Sequence, residues 1–189
     1  MSIASASPRL IVLSARSNAR ASPIADEISK AYPDVEVEIL DMDLGSFASI
    51  RNGARKLSAI LDVLICHAGI MAVPYGKTED GFEKQFGVNH LGHFLFTNLL
   101  LKEGKIRNGG RIVIVTSDGH RLSDVLWEDP SFQVMPSFEP RYLARSIINR
   151  HLGWQNLQPV GGIRAIQDSE QPHSPRTCKK TEVKKYPIL

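Results

Sequence analysis

Four short apolar runs in the first 116 residues predict β-strands. The run Leu10–Ala15 is nearly continuous and rich in aliphatic side chains, which is typical of a strand buried on both faces. Residues 62–66 and 111–116 repeat that pattern, whereas residues 35–40 alternate between apolar and polar positions. Alternation favours a strand with one partly exposed face.

Apolar side chains with helical spacing occupy the stretches between these strands. The first helix is expected to end at Tyr32, because a proline, here Pro33, disfavours helical geometry in the residue before it. Ser46 is a suitable N-cap for a second helix, and a third is expected over residues 81–101. The predicted inward residues are Ile24, Ile28, Ala31 and Tyr32 in the first helix, Phe47, Ile50, Ala54, Leu57 and Leu61 in the second, and Phe82, Phe86, Leu91, Phe94 or Leu95, and Leu99 in the third.

Strands that alternate with helices in this way predict an α/β fold, a doubly wound parallel sheet with helices on both faces. An Asn-Gly-Gly turn at residues 108–110 is expected just before the fourth strand. The pattern weakens from about residue 123, and residues 161–189 lack the apolar spacing of a core. The folded domain is therefore predicted to span residues 1–160, and residues 161–189 are predicted to form a flexible tail.

Composition narrows the class of protein. The 189 residues, 42% hydrophobic and 23% charged, suffice for one domain with a real core and exclude a disordered chain. No apolar run approaches the length of a membrane span, and the first residues lack the apolar stretch of a secretory signal. Two distant cysteines favour a reducing, cytoplasmic setting. A net charge of +3 is too small to indicate nucleic-acid binding, and the lysines of residues 179–185 are typical of a solvated tail.

The residues after each strand are candidates for chemistry, because ligands bind beyond the carboxyl ends of strands in an open parallel sheet. Arg16 and Ser17 follow the first strand. A basic side chain there could pair with the 2′-phosphate of NADP, or could be an ordinary solvated charge. Asp41 or Asp43, after the second strand, could accept a hydrogen bond from an adenine amino group, or could belong to an ordinary helix start.

The third and fourth strands end in small and hydroxyl-bearing residues. Ala68 and Gly69 would let a ligand approach the backbone, or would form a tight turn. Ser117 could orient a substrate carbonyl. A Ser-His-Asp hydrolase is rejected, because the nucleophile elbow needs a glycine two residues before the serine and Val115 holds that position.

Histidines raise the question of a metal site. His90 and His93 lie three residues apart on the third predicted helix, and His67 and His120 follow two of the strands. This spacing is a poor match to the common zinc patterns, and no cysteine or carboxylate completes a ligand set. No metal is therefore predicted.

Three segments together resemble the short-chain dehydrogenase/reductase family, in particular its retinol-dehydrogenase-like branch. They read LDVLICHAGIM, TEDGFEKQFGVNHLGHFLFTNLLL and RIVIVTSDGHRLS. The similarity extends from about residue 9 to residue 123. The resemblance implies a Rossmann-like dinucleotide-binding fold, NADP as cofactor, and hydride transfer between the nicotinamide and a small alcohol or carbonyl compound, in secondary or lipid metabolism.

The resemblance also implies roles for individual residues. Ser117 is similar to the catalytic serine that hydrogen-bonds the substrate oxygen, and Asn89 to the asparagine whose kinked helix supports a proton-relay water. Tyr142 is the candidate for the family tyrosine that donates or accepts the proton. The implied cofactor-binding residues are Arg16, Ser17, Asp43, Ala68 and Gly69.

The sequence departs from the family pattern at two side-chain positions. The family has a lysine four residues after its tyrosine, and that cation favours the phenolate, whereas Ser146 stands at this position. Cys66 and His67 replace the two asparagines of the family's Asn-Asn-Ala-Gly motif. The side-chain hydrogen bonds that those asparagines make between neighbouring strands are therefore in question here.

The family's first strand and glycine-rich turn have no counterpart, since no glycine precedes Gly45. That strand lies centrally in the family's sheet, between the strands that match residues 10–15 and 62–66. Its loss is expected to leave either a vacancy or two unpaired edges.

Two functions follow from these observations. One is an NADP-dependent oxidoreductase that acts on a small-molecule alcohol or carbonyl substrate. The other is a catalytically inactive, truncated relative that acts as a binding protein and pairs its open edges with a partner. Neither nucleic acid nor a membrane span is expected, and assembly into a homo-oligomer is left open.

Overall fold

Parallel strands form the framework of the molecule. The computed structural model describes residues 3–117, residues 129 and 131, and the backbone of residues 164–168. The described strands pair into two parallel sheets, in the orders β2–β1 and β3–β4–β5. Their bounds are β1 (Leu10–Ala15), β2 (Glu36–Asp41), β3 (Leu61–Cys66), β4 (Ile106–Val115) and β5 (Arg164–Asp168). Parallel strands separated by helices confirm the predicted α/β class.

Helices connect these strands as the apolar spacing predicted, except that the second helix ends before Leu61, which belongs to β3 and not to the inward face of that helix. After a short 3₁₀ turn at Ala4–Ala6 come α1 (Asn18–Ala31) and α2 (Phe47–Lys56), and then α3 (Lys84–Phe86), a π-helical segment (Gly87–Gly92) and α4 (His93–Lys102). The last three run on as one continuous helix over residues 84–102. Ser46 caps α2 as expected, since its hydroxyl accepts a hydrogen bond from the backbone N–H of Ser49 at 3.4 Å. No helix in the described part of the chain is long and apolar enough to cross a membrane.

One hydrophobic core joins the two sheets. Helices α2 and α4 supply Ile50 and Leu100, whose side chains are completely buried. Leu40 of β2 and Leu64 of β3 pack into the same cluster, so strands from both sheets cover one face of this helix pair. Burial of this shared apolar surface holds the sheets together.

Helix α1 covers the opposite face of β1 and β2. Its Ile28 packs with Val35, Ile11 and Leu13 in a second, smaller cluster. The prediction that Ile24 faces inward is wrong, because this side chain is 53% exposed. Ile28 and Ala21 are the buried residues of this helix, so its contact with the small sheet leaves Ile24 uncovered.

In the part of the chain that the structure describes, β1 and β3 each have an open edge. Within the described residues, β1 pairs only with β2, and the partner of β3 is β4 alone. Each therefore has one edge without a neighbouring described strand, in agreement with the expectation of either a vacancy or two unpaired edges. Val63 and Ile65, which alternate with the buried Leu64, are 46% and 41% exposed.

Strand β4 begins earlier than predicted. Leu61 pairs with Ile106, but the next paired residues are Val63 and Arg111, so residues 107–110 bulge out of the ladder. Gly109 adopts φ +80°, which suits glycine. The predicted Asn-Gly-Gly turn is therefore wrong, because these residues form a bulge inside the strand.

Strand β5 lies beyond the predicted domain boundary at residue 160. Residues 164–168 pair in parallel with residues 111–115 of β4. These residues lie within the predicted flexible tail because they lack an apolar pattern, but backbone hydrogen bonds to β4 do not require one. The predicted tail over the remainder of residues 161–189 lies outside the described residues.

Candidate functional site

Arg16 and Asp43 follow two neighbouring strands. The register pairs Ala15 with Asp41, and the backbone N–H of Met42 donates to the Ala15 carbonyl at 2.9 Å. Arg16 is exposed where β1 ends, and Ser17 is half-buried as the N-cap residue of α1. An exposed guanidinium at this edge is suited to a bidentate contact with a phosphate.

Asp43 is held by short local hydrogen bonds. Its Oδ1 accepts from the backbone N–H of Gly45 at 2.8 Å, and its own backbone N–H donates to Ser49 Oγ at 2.9 Å. A carboxylate that accepts from a backbone N–H two residues later is typical of an Asx turn. Asp43 therefore presents its half-buried carboxylate from a fixed backbone.

The ends of β3 and β4 bring the other site residues close together. Cys66 pairs with Ile114, so Gly69 and Ser117 each lie three residues past a paired position on adjacent strands. Ala68 and Gly69 are exposed, and Ser117 is half-buried. Small exposed residues beside a hydroxyl leave room for a ligand near the backbone.

The π-helical segment contacts the loops that follow both sheets. On one side Asn89 binds the backbone of Ile70, after β3. On the other side a Cβ on Gly92 would lie 2.5 Å from the Leu44 carbonyl oxygen, after β2. Only glycine permits this approach, so the segment brings the two groups of site residues to one part of the molecule.

Asn89 uses both ends of its carboxamide. Oδ1 accepts from Ile70 N–H at 2.8 Å, and Nδ2 donates to the Ile70 carbonyl at 2.7 Å. The resemblance implied a kinked helix at this residue, and the π segment is such a distortion. The side chain itself fixes the loop after β3.

His93 and Thr97 also contact the end of β3, and sequence reasoning missed both. His93 Nε2 lies 2.7 Å from the Ala68 carbonyl oxygen, and Thr97 Oγ1 lies 3.8 Å from Cys66 Sγ. Cys66 thus keeps one side-chain contact despite replacing an asparagine. Burial raises the pKa of the Cys66 thiol to about 11, while the contact with Thr97 lowers it, so the thiol is protonated at neutral pH.

The buried stripe of the helix over residues 84–102 is therefore largely polar. Gln85, Asn89, His93 and Thr97 are all buried. Of the two alternatives predicted for the apolar stripe, Phe94 is 39% exposed and Leu95 packs against the core. Phe94 is displaced outward because the loop after β3 offers backbone groups that only polar side chains can satisfy. The detectable signal was a polar or histidine residue at every fourth position.

His90 lies beside this stripe in an aromatic environment. Its ring stacks on Phe86 with centroids 5.2 Å apart. Burial and, to a lesser extent, nearby His93 lower the pKa of His90 to about 4, so the ring is neutral at physiological pH. In the described part of the chain no three His, Cys, Asp or Glu residues cluster in a way that could hold a metal ion.

Three residues considered in the sequence, one of them the candidate catalytic tyrosine, cannot be placed in the site. Tyr142, and Ser146 at the family's lysine position, fall outside the described residues, as does His120. The site that can be described therefore comprises the ends of β1 to β4 and the helix over residues 84–102.

The chain is similar in sequence to known proteins. A family model described as short chain dehydrogenase matches residues 2–125. Retinol dehydrogenase 14 of Mus musculus is 41% identical over 132 residues, which cover 63% of this chain and 40% of that protein. Polyprenol dehydrogenase of Homo sapiens is 37% identical over 126 residues, covering 63% of this chain and 38% of its own length. The chain spans about 40% of the length of the mouse relative.

Solved structures share the fold. An uncharacterised protein of Mycobacterium paratuberculosis is 36% identical with a TM-score of 0.60, over 73% of this chain and 47% of that one. An alcohol dehydrogenase of Thermococcus sibiricus, complexed with 5-hydroxy-NADP, is 21% identical with a TM-score of 0.56, over 82% of this chain and 63% of that one.

Proposed function

The chain belongs to the short-chain dehydrogenase family, and on that premise we propose that it is an NADP-dependent oxidoreductase. It would transfer a hydride between the nicotinamide and a small alcohol or carbonyl substrate. The observation that carries this proposal is the exposed Arg16 directly after β1, beside the fixed Asp43 after β2.

The strand ends fit the adenosine part of NADP. A 2′-phosphate carries negative charge, and an exposed guanidinium pairs with it where an acidic residue would repel it. The Asp43 carboxylate is suited to accept from an adenine amino group, since a carboxylate has several acceptor positions and only Oδ1 is bonded to Gly45. The exposed Ala68 and Gly69 would allow the cofactor to lie against the backbone after β3.

The described residues offer fewer contacts for the diphosphate of NADP than for its adenosine. The turn from β1 into α1 reads Arg16-Ser17-Asn18 and has no glycine. A glycine-rich turn that would cradle a diphosphate is not found among the described residues. The fit therefore rests on the adenosine phosphate and on the residues after β3 and β4.

Ser117 and Tyr142 would carry the proton chemistry. The Ser117 hydroxyl can donate to a carbonyl oxygen, which stabilises the negative charge that develops there during reduction. Tyr142 would supply the proton. Because Ser146 replaces a lysine, no cation at that position lowers the tyrosine pKa, so turnover should increase towards alkaline pH when the alcohol is oxidised.

The names of the relatives support an alcohol substrate. One is a retinol dehydrogenase and another a polyprenol dehydrogenase. We therefore propose an alcohol or carbonyl compound of secondary or lipid metabolism as the substrate of this chain.

NADPH binding tests the proposal. NADPH fluorescence should give a micromolar dissociation constant, and Arg16→Glu should weaken it by roughly 10- to 100-fold, as expected for a lost charge-assisted contact. Arg9→Glu is the matched control, because Arg9 is exposed at the opposite end of the same strand, about 20 Å away. Equal losses in both variants, or no binding by the wild type, would refute the assignment.

A second candidate function is protein binding without catalysis. The open edges of β1 and β3 within the described residues favour it, because unpaired backbone groups can bind another strand. Absence of NADPH binding, together with self-association in sedimentation velocity, would support this alternative. Binding of NADPH by a monomer would exclude it.

A further inference from the structure

Four buried side chains of the helix over residues 84–102 form a ladder along the segment after β3. Each rung joins one side chain of the helix to one position of residues 66–72, and the contacts run in opposite directions along the two segments. The rungs are Thr97 with Cys66 Sγ (3.8 Å), His93 with the Ala68 carbonyl (2.7 Å), Asn89 with Ile70 (2.8 and 2.7 Å) and Gln85 Oε1 with Ala72 N–H (3.1 Å).

The spacing of the rungs matches the two backbones. Four residues of helix rise about 6 Å, and two residues of extended chain span about 6.6 Å. A four-residue step on an α-helix overshoots one turn by about 40°, so the three steps between the four rungs would rotate the stripe away from the segment. The π segment holds more residues per turn and offsets that rotation, which keeps the rungs on one side.

The ladder holds the segment in a conformation that it would not adopt alone. Ala72 has φ +54°, in the left-handed region that non-glycine residues rarely occupy. Its N–H is bound by Gln85. Because Ala72 adopts this disfavoured conformation beside the site, we infer that the contacts with the helix determine the path of the backbone, and the loop sequence does not.

The His93 rung binds the Ala68 carbonyl, at the strand end where NADP is proposed to lie. A carbonyl oxygen only accepts, so Nε2 of His93 must carry the proton that it shares with Ala68. Ala68 and Gly69 are exposed at the carboxyl end of β3, although the His93 ring that holds them is buried. The buried ring thus fixes an exposed peptide.

We propose that His93 is a positioning residue, whose Nε2–H orients the Ala68–Gly69 peptide for the cofactor. This inference rests on the proposed function for its ligand. The contact with the backbone can be tested separately from the ligand.

The tautomer of His93 tests the contact in the wild-type protein. Imidazole ¹⁵N chemical shifts should show a protonated Nε2 at neutral pH, with or without NADPH. A His93 that is protonated only on Nδ1 would overturn the proposal, whatever the protein binds.

Substitutions test the consequence for binding. His93→Leu removes the donor, and NADPH should bind roughly 5- to 30-fold more weakly, as expected for one lost hydrogen bond. His93→Gln places an amide donor at a similar reach, and should restore affinity to within about threefold. Asn98→Ala is the control, because Asn98 makes its side-chain hydrogen bond to Phe94 on the exposed side of the same helix.

The outcomes separate this inference from the proposed function. If the wild type binds NADPH and His93→Leu binds it equally well, His93 does not position the peptide, while the proposed function stands. If the wild type does not bind NADPH, amide exchange reports the contact instead. His93→Leu, but not His93→Gln, should then speed exchange at residues 68–70 and leave that of Ile28 unchanged, and equal exchange in both variants would overturn the inference.

Discussion

Asn89 closes two hydrogen bonds on the backbone of a single residue, Ile70, at 2.8 and 2.7 Å. The carboxamide satisfies both the N–H and the carbonyl of a residue that belongs to no strand or helix. Because Asn89 is only 7% exposed, no water can readily replace it. This pair anchors the loop after β3 to the helix.

Asn89→Leu should lower the free energy of unfolding by roughly 2–4 kcal/mol, because it leaves two backbone groups without partners. Urea denaturation measures the change. Asn98→Leu, on the exposed side of the same helix, should alter it by less than about 0.5 kcal/mol. Similar losses for the two leucine variants would show that the Ile70 contacts contribute little.

Gly92→Ala should lower the free energy of unfolding by roughly 1–3 kcal/mol. The better helix propensity of alanine offsets part of this loss. The added Cβ would lie 2.5 Å from the backbone oxygen of Leu44, which cannot rotate away. In Gly76→Ala the new Cβ would meet the flexible Lys84 side chain at 3.2 Å, so this variant should be nearly neutral. Thermal unfolding compares them, and an equally tolerated Gly92→Ala would contradict the close packing of helix and loop.

His90 should make stability depend on pH between about 6.5 and 4. Its folded pKa of about 4 lies below the ordinary 6.5, so over this range the unfolded chain binds a proton that the folded protein does not. Stability therefore falls as the pH drops through this window, by up to roughly 3 kcal/mol, and His90 adds no further change below it.

His90→Phe should abolish that part of the pH dependence, since a phenyl ring can stack on Phe86 without titrating. Urea denaturation at a series of pH values gives the slope. His67→Gln, which removes an exposed histidine side chain, is the control for the effect of the substitution itself. An unchanged slope in His90→Phe would show that other groups cause the dependence.

If the protein self-associates through the open edge of β3, replacing both Val63 and Ile65 with threonine should reduce that association. These side chains are 46% and 41% exposed beside an open strand edge, a combination that promotes pairing between chains. The free energy of unfolding should change by less than about 1 kcal/mol, whereas Leu64→Ala, in the core, should cost roughly 2–5 kcal/mol. Sedimentation velocity and urea titration measure the two effects, and unaltered association would place the contact elsewhere.

The sequence by itself determined strands β1 to β4, the helices between them and the residues at the ends of these strands. Continuous apolar runs such as Leu10–Ala15 are local signals, and parallel alternation then places Arg16, Asp43, Gly69 and Ser117 at carboxyl ends. These features could be predicted because each depends on residues adjacent in the chain. The family resemblance added the expectation of either a vacancy or two unpaired edges, and β1 and β3 each have one unpaired edge within the described residues.

Only the tertiary structure decided which helix residues serve the site. The apolar spacing predicted that Phe94 or Leu95 faces inward, and Leu95 does pack against the core. It did not predict that Asn89 and His93 are buried, because their hydrogen-bonding partners lie 19 and 25 residues away. Likewise, the bulge at residues 107–110 depends on the register with β3. Helical periodicity records which face is apolar, but it carries no information about a distant backbone that needs a polar partner.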